Sequence, residues 1–165
     1  MLNVETGAAA ADAESYCSVA FATAFHSARG NAAWIDLASD TVREALLRKA
    51  TDAMLALYRE RWKGTRATAT QALDWPRLDV VADGYPRAAD EVPLEVQKAC
   101  AILALKAISG DLDPDPTQAV KRKKIGPLET ELYEPAQALR LHKSVTDLLR
   151  PFLTGGDMNV KLVRA

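Results

Sequence analysis

The stretch RWKGTRATATQALDWPR, residues 61–77, decides how this chain is folded. It follows a long amphipathic segment but lacks helical periodicity, and it opens an irregular segment, residues 63–91. Structureless segments of this length are uncommon in compact domains unless they are functional or held in place. The Trp75-Pro76 step fixes an extended chain direction, and the tryptophans supply large apolar anchors. We therefore predict a structural strap that lies over the helices, with the structural residues Trp62, Gly64, Gln71, Trp75, Pro76 and Arg77.

Four other segments have the period of an amphipathic helix. They are residues 12–25, 41 to about 60, 93–109 and 144–153. Thr41 and Glu44 have the spacing of a capping box at the start of the second helix. The third helix is apolar on nearly every side, which is typical of a central helix. The sequence therefore predicts a mainly α fold, a small bundle of about four helices with a β-hairpin and a long strap loop.

Two further parts of the chain are expected to face solvent. Residues 1–10 are polar or small, so we expect them to be loosely held or to contact a partner. The second helix has a polar side on which most of its basic residues fall, and a solvated face is expected there. These basic residues are Arg43, Arg48, Lys49, Arg59 and Arg61.

Residues 119–133 have the alternation of a β-hairpin, with Gly126-Pro127 as the turn. The first arm carries a basic run, which is a candidate surface for facing a channel or a neighbouring subunit: Lys121, Arg122, Lys123 and Lys124. Glu129 and Glu131 on the second arm can neutralise these charges as cross-strand pairs. Single-strand binding surfaces usually stack bases on aromatic rings, and none interrupts this run. The pattern therefore favours a solvated or partner-facing hairpin over a surface that reads bases.

The last residues are separated from the rest by Gly155-Gly156, since a glycine pair permits almost any exit direction. We assign residues 1–156 to one helical domain and residues 157–165 to an extended tail. The tail combines apolar and basic side chains, and its candidate docking residues are Met158, Val160, Lys161, Leu162, Val163 and Arg164. We expect the tail to dock on a partner, and the alternative is a frayed terminus.

No pattern in the chain indicates catalysis. The two histidines, His26 and His142, lie near no serine or cysteine in a recognisable motif, and the chain has no phosphate-binding glycine loop. Cys17 and Cys100 have no second ligand at metal spacing, so we expect buried thiols, and the sequence leaves a disulfide between them open. We therefore predict no catalytic residue, no cofactor, no metal and no enzyme activity.

Composition limits the classes of partner. The 165 residues suffice for one domain, and the formal net charge of −1 is not that of a general nucleic-acid binder. A local basic patch is still compatible with this charge. The sequence has no signal-peptide pattern at its start and no apolar stretch long enough to span a bilayer. We expect a protein that is used in the cytoplasm, or in a particle assembled there, without a membrane partner.

Several short motifs, taken together, resemble one family. They are Trp62-x-Gly64-x-Arg66, Gln71-Ala72-Leu73-x-Trp75-Pro76-Arg77, Ser109-Gly110-Asp111-Leu112, Lys124-Ile125-Gly126-Pro127-Leu128-Glu129 and Leu148-Leu149-Arg150-Pro151-Phe152-Leu153. The second motif is the most specific of these. From about residue 11 to residue 153, the chain resembles tailed-phage head–tail connector (adaptor) proteins, which are often labelled DnaT-like single-stranded-DNA-binding proteins.

The two labels imply different functions. The connector label implies a structural ring, typically a dodecamer, that joins the portal protein to the next neck or tail protein. Such a ring is assembled in the host cytoplasm and lies in the virion neck, and DNA passes through its channel without sequence readout. The other label implies the alternative, a cytoplasmic single-stranded-DNA-binding accessory protein of replication. Because we find no basic surface rich in aromatic residues, the sequence favours the connector.

Overall fold

The computed structural model describes residues 1–112 and 142–155, and it adds the backbone of two strands between them. Its helices are α1 (Val19–Ser27), α2 (Ala32–Ile35), α3 (Asp40–Tyr58), α4 (Leu94–Lys106) and α5 (Lys143–Leu149), with 3-10 turns at Arg59–Arg61 and Arg150–Phe152. Its strands are β1 (Thr65–Arg66), β2 (Arg77–Leu78), β3 (Val81–Ala82), β4 (Tyr85–Pro86), β5 (Lys123–Ile125) and β6 (Leu128–Thr130). The described elements are mainly helical and include a β-hairpin, so the predicted fold class is confirmed.

The core is built around α4. This helix packs against α3, α1 and α5, and its buried residues are Val96, Ala99, Cys100, Ala101, Leu103 and Ala104. The facing side of α3 also buries small residues, Ala50 and Ala53, beside Leu47 and Met54. The apolar sequence of this segment therefore predicts the central helix correctly.

The first helix is shorter than predicted, because α1 begins at Val19 rather than at residue 12. The Ser18 hydroxyl caps α1 by accepting a hydrogen bond from the N–H of Phe21 at 3.1 Å. Tyr16 and Cys17 are buried from an extended segment that precedes the cap. The apolar spacing before residue 18 therefore reflects burial of non-helical chain.

The predicted capping box of the second helix is also wrong. Ser39, not Thr41, is the N-cap of α3, and its hydroxyl accepts a hydrogen bond from the N–H of Val42 at 3.4 Å. The helix ends at Tyr58 and continues as a 3-10 turn. Ser, Thr and Asp are all good caps, so spacing alone does not select among neighbouring candidates.

The expectation that the N-terminus is loosely held is wrong. The Glu5 side chain is 2% exposed, and its carboxylate accepts hydrogen bonds from the N–H groups of Gly7, Ala9 and Ala10 at 2.7, 3.1 and 2.8 Å. The carbonyl of Ala10 in turn accepts the N–H of Ala72 at 2.9 Å. Polar contacts therefore hold the N-terminal segment against the strap, and such contacts leave no periodic pattern in a sequence.

Of the basic residues predicted to be solvated, Lys49 and Arg59 are exposed as expected, whereas Arg43, Arg48 and Arg61 are half-buried. Arg43 donates to three backbone carbonyls at the end of α2, so it caps that short helix. Arg48 pairs with Glu14 at 2.9 Å, and Arg59, just past the helix end, pairs with Asp74 at 3.1 Å. These three arginines connect α3 to segments before and after it.

The Glu14–Arg48 pair gives a testable pH dependence. Its hydrogen bonds with Arg48, together with the N–H of Asn3, lower the pKa of Glu14 from 4.5 to about 2. A lowered pKa stabilises the fold fully above the unfolded-state value, and the stabilisation is lost as the pH falls through the folded-state value. The melting temperature of wild type should therefore exceed that of Glu14→Gln most clearly above pH 4.5, and the difference should shrink toward pH 2. A difference in melting temperature that stays constant between these pH values would contradict a stabilising ion pair between Glu14 and Arg48.

The predicted hairpin is present in the backbone. β5 and β6 pair antiparallel, with Lys124 opposite Glu129, which is the register that a cross-strand charge pair requires. Lys121, Arg122 and the Gly126-Pro127 turn lie outside the described residues, as do the side chains of both strands. The channel-facing or neighbour-facing role of the basic run therefore stays a prediction.

The described chain ends just after α5. This helix begins one residue before the predicted start and ends at Leu149, where Pro151 enters a 3-10 turn. A proline ends or kinks a helix because it has no N–H to donate, and α5 does end before Pro151. The tail, residues 157–165, lies outside the described residues, and its docking stays a prediction.

Candidate nucleic-acid interface on the strap

The predicted strap contains two antiparallel strand pairs rather than structureless chain. Thr65 of β1 lies opposite Leu78 of β2, and Ala82 of β3 lies opposite Tyr85 of β4. Asp83-Gly84 joins β3 to β4 with φ angles of 54° and 84°. Positive φ at both central residues is the geometry of a tight hairpin turn, which an Asp-Gly dipeptide favours.

Two tryptophans hold the strap on the helical core. The Trp75 ring packs edge-to-face against Trp62 and against Phe152, and the ring centroids lie 5.6 Å apart in both pairs. Trp62 also contacts Tyr58, the last residue of α3, at 5.9 Å. All four rings are buried. They therefore stabilise the strap and do not offer a ring face to a ligand.

The loop between β1 and β2 is fixed from inside by Gln71. The side-chain Nε2 donates to the carbonyl oxygens of Leu73 and Pro76 at 2.8 and 3.0 Å. The side-chain Oε1 accepts the N–H of Thr68 at 2.8 Å. One buried amide therefore satisfies three backbone groups, which requires a side chain that both donates and accepts.

Arg77 and Gly64 connect the two ends of the same loop. The buried Arg77 guanidinium donates to the carbonyl oxygens of Lys63, Gly64 and Asp74 at 2.8, 2.7 and 3.2 Å. Burial lowers the pKa of Arg77, although an arginine stays charged in proteins. Gly64 has a φ of 67°, and a Cβ there would lie 2.0 Å from the carbonyl oxygen of Leu78, so glycine is required.

The six strap residues predicted from the sequence thus lie together, and they contact the protein itself: Trp62, Gly64, Gln71, Trp75, Pro76 and Arg77. The Trp75-Pro76 peptide bond is cis. Since these side chains are occupied by internal contacts, binding at the strap has to use other residues.

The exposed face of the strap is centred on Tyr85. Its side chain is 72% exposed, and those of Val81 and Leu78 are 49% and 39% exposed. A single exposed apolar side chain is common on protein surfaces, but several in one short stretch form a patch that suits a partner.

Two cations lie beside this patch. The Lys63 ammonium donates to the carbonyl oxygens of Val81 and Pro151 at 3.2 and 2.8 Å. The guanidinium carbon of Arg87 lies 5.4 Å from the ring centroid of Phe152. Within residues 1–112 and 142–155, neither cation forms an ion pair with a carboxylate. Carbonyl and ring contacts thus hold both cations in place without neutralising them.

Arg61 and Arg66 add to this positive charge. Arg61 lies over the Tyr58 ring at 5.9 Å, and Arg66 donates to the carbonyl of Gln71. Asp79 and Asp83 are exposed on the same stretch and oppose these charges. Over residues 63–91, however, four cations are matched by five carboxylates, which are Asp74, Asp79, Asp83, Asp90 and Glu91. The candidate interface therefore depends on where Lys63 and Arg87 lie and not on a net positive charge of the strap.

Both histidines are internal. His26 is buried; its Nε2 donates to the carbonyl of Ala101 at 3.0 Å, and its Nδ1 accepts from the amide of Asn31 at 2.9 Å. Burial lowers the pKa of His26. His142 donates through Nε2 to the carbonyl of Leu112 at 2.8 Å. Both imidazoles thus hold backbone segments together.

The two cysteines are free thiols, and both are buried. Their mutual hydrogen bond, together with burial, raises the pKa of Cys17. Among the described residues, no group of three or more His, Cys, Asp or Glu side chains is placed to hold a metal ion. No described helix has both the length and the apolar character needed to cross a bilayer.

The whole chain, residues 1–165, matches the model of a protein family described as "Putative DnaT-like ssDNA binding protein". The chain belongs to this family. No curated protein and no solved structure matches the chain. The family description agrees with the second of the two labels that the motifs suggest, and it contains no reference to a head–tail connector. The family description therefore supports single-stranded-DNA binding better than the connector function, which the sequence alone had favoured.

Sequence reasoning missed Tyr85, Lys63 and Arg87 as candidate interface residues. Tyr85 directly follows the Asp83-Gly84 turn, and an aromatic residue directly after such a turn dipeptide is the signal that was available. No comparable signal exists for Lys63, because its position beside β3 depends on the pairing of distant segments.

Proposed function

We propose that this protein is a non-enzymatic binder of single-stranded DNA that contacts the phosphate backbone through the strap without sequence readout. The observation that carries the proposal is that Lys63 and Arg87, near the exposed Tyr85, have no carboxylate partner among the residues that the structure describes. The family description supports the same function. The main DNA-contacting surface is then the strap and not the basic hairpin.

Phosphate contacts need cations that are positioned but not neutralised. An ammonium group has three N–H donors, and two backbone carbonyls occupy only part of the hydrogen-bonding capacity of Lys63. Arg87 is anchored through its contact with the Phe152 ring. Contacts of this kind do not depend on base identity and weaken as salt rises.

The double variant Lys63→Gln/Arg87→Gln should bind single-stranded DNA more weakly at every salt concentration. The slope of log affinity against log salt should fall in magnitude by about 1.4, since each phosphate contact on a single strand contributes about 0.7. Fluorescence anisotropy with a labelled dT oligonucleotide measures both quantities. Lys49→Gln on α3 is the matched control, because it removes a positive charge from the groove between α3 and the end of α4. Equal affinity and slope in the double variant and the control would refute the strap as the interface.

The variant Asp83→Asn removes a negative charge from the same interface, so it should change the affinity for DNA in the opposite direction. Asp83 is exposed on the turn beside Tyr85 and opposes phosphate. Asparagine tolerates the positive φ of this position, so the turn should keep its geometry. Affinity should rise, and the gain should shrink at high salt because the effect is electrostatic. Unchanged affinity at low salt would place the DNA path away from the turn.

A second candidate function is that of a tailed-phage head–tail connector. The motif resemblance supports it, as do the exposed apolar side chains of Ile35 and Val42, at 44% and 41% exposure, which a neighbouring subunit would cover. In this function the protein forms a ring, typically a dodecamer, in the virion neck and contacts the portal protein and the next neck or tail protein. The basic hairpin residues would then face the DNA channel or a neighbour: Lys121, Arg122, Lys123 and Lys124.

A cryo-EM map of the virion tests this second function. Copies of the protein at the neck would support it, and a neck without them would refute it. Deleting residues 157–165 should leave the domain folded by circular dichroism while abolishing incorporation into particles. Normal incorporation of the truncated protein would contradict a docking role for the tail.

A further inference from the structure

We infer that Tyr85 stacks on an unpaired base, so that the strap selects single-stranded over duplex DNA. This inference rests on the proposed DNA-binding function and assigns its specificity to one side chain. Phosphate contacts alone do not select single strands, because the duplex carries phosphates on both strands and has the higher charge density. A ring face does separate them, because the faces of paired bases are covered by their neighbours in the duplex.

The hairpin presents Tyr85 in a defined position. β3 and β4 pair across the Asp83-Gly84 turn, and Ala82 directly opposite Tyr85 is buried. The hairpin base is tied down by the N–H of Arg87, which donates to the carbonyl of Val80 at 2.9 Å. These hydrogen bonds hold the backbone at Tyr85, so little backbone freedom is lost on binding, which favours affinity.

Tyr85 is also the aromatic residue best placed for stacking. Among the aromatic side chains that the structure describes, it is the one that is exposed; Phe21 and Phe25 are half-buried, and the others are buried. The Phe25 ring is moreover covered by the Arg29 guanidinium, whose carbon lies 3.6 Å from the ring centroid. Packing within the fold therefore does not explain why the Tyr85 ring is exposed, whereas stacking on a base does.

The surroundings of Tyr85 suit a nucleotide. Arg87 lies two residues further along the extended chain, so its side chain leaves from the same side as that of Tyr85. The Lys63 ammonium is held on the carbonyl of Val81, the residue diagonal to Tyr85 on the neighbouring strand. A base on Tyr85 would thus have cations within reach of its flanking phosphates.

The test measures the affinity of the full chain for two DNA probes. One is a labelled dT oligonucleotide of about 16 nucleotides, the upper end of the site sizes of small single-strand-binding domains; the other is a duplex of the same length. Tyr85→Ala should weaken single-strand binding about 5–150-fold, the equivalent of one lost base stack. Duplex binding should stay unchanged, and Tyr85→Phe should restore most of the single-strand affinity.

The outcomes separate this inference from the function on which it rests. Wild type that binds neither probe refutes the proposed function itself. Wild type that binds single strands, with Tyr85→Ala equal to it on both probes or weakened equally on both, refutes the stacking role alone. Tyr85→Ala that binds normally but sediments as a smaller species would make the patch a protein contact and would also overturn the inference. Equal melting temperatures for wild type and Tyr85→Ala exclude misfolding as the cause of any loss.

Discussion

Replacing Trp75 with alanine should lower the free energy of unfolding by about 3–5 kcal/mol, the range for truncating a large buried aromatic side chain. The Trp75 side chain is 0% exposed and packs edge-to-face on both Trp62 and Phe152. A cavity at this position would separate the strap from the end of α3 and from the last 3-10 turn. Urea unfolding followed by far-UV circular dichroism, with linear extrapolation to water, measures the loss.

Two variants of the same region control this result. Trp75→Phe keeps an aromatic ring in the site, so it should be less destabilising than Trp75→Ala. Tyr85→Ala removes an aromatic side chain from the same strap, but that side chain is 72% exposed, and its loss should change stability by less than about 0.5 kcal/mol. A melting temperature unchanged by Trp75→Ala would show that the ring is not a structural anchor.

The parts of the fold that could be predicted are those in which local chemistry and burial agree. The Asp83-Gly84 step permits the positive φ angles that a tight turn needs. The segment of α4 is apolar on nearly every side, so its central position follows from the hydrophobic effect alone. The end of α5 before Pro151 follows from the absence of an N–H donor in proline.

The parts that could not be predicted depend on contacts between distant residues. The carboxylate of Glu5 holds the N-terminal segment, and nothing in a stretch of small residues indicates that a buried acid organises it. The apolar residues before Ser18 imitate helical spacing while lying in an extended segment. Periodicity reports burial reliably but reports helix only when the backbone hydrogen bonds follow it.

The candidate interface was hidden for a different reason. The strap carries carboxylates as well as cations, so neither the net charge of the chain nor that of residues 63–91 indicates DNA binding. The arginines between residues 43 and 61 resembled a solvated basic face, although Arg43 caps α2 and Arg59 pairs with Asp74. Only the structure separates cations that are internally paired from those, such as Lys63, that are merely positioned.

The second large effect is expected from Gln71→Glu, which preserves the shape of the side chain but removes its donors. The Nε2 group of Gln71 donates to the carbonyls of Leu73 and Pro76, and a carboxylate would face both oxygens without an N–H to offer. Leaving buried acceptors unsatisfied beside a buried charge should reduce the free energy of unfolding by about 3 kcal/mol at neutral pH.

The pH dependence of Gln71→Glu identifies the cause of the loss. Burial beside two carbonyl oxygens disfavours the charged form of the introduced carboxyl group, so its pKa in the folded state should rise above its unfolded-state value. Stability associated with a raised pKa is present below the unfolded-state value and is lost as the pH rises through the folded-state value. The difference in free energy of unfolding between wild type and Gln71→Glu, measured by urea unfolding, should therefore be smallest near pH 4 and increase toward pH 7. Gln71→Met removes the same hydrogen bonds without adding charge, so its difference from wild type in free energy of unfolding should not vary with pH. Equal pH profiles for the two variants would show that the introduced carboxylate is not buried against the loop carbonyls.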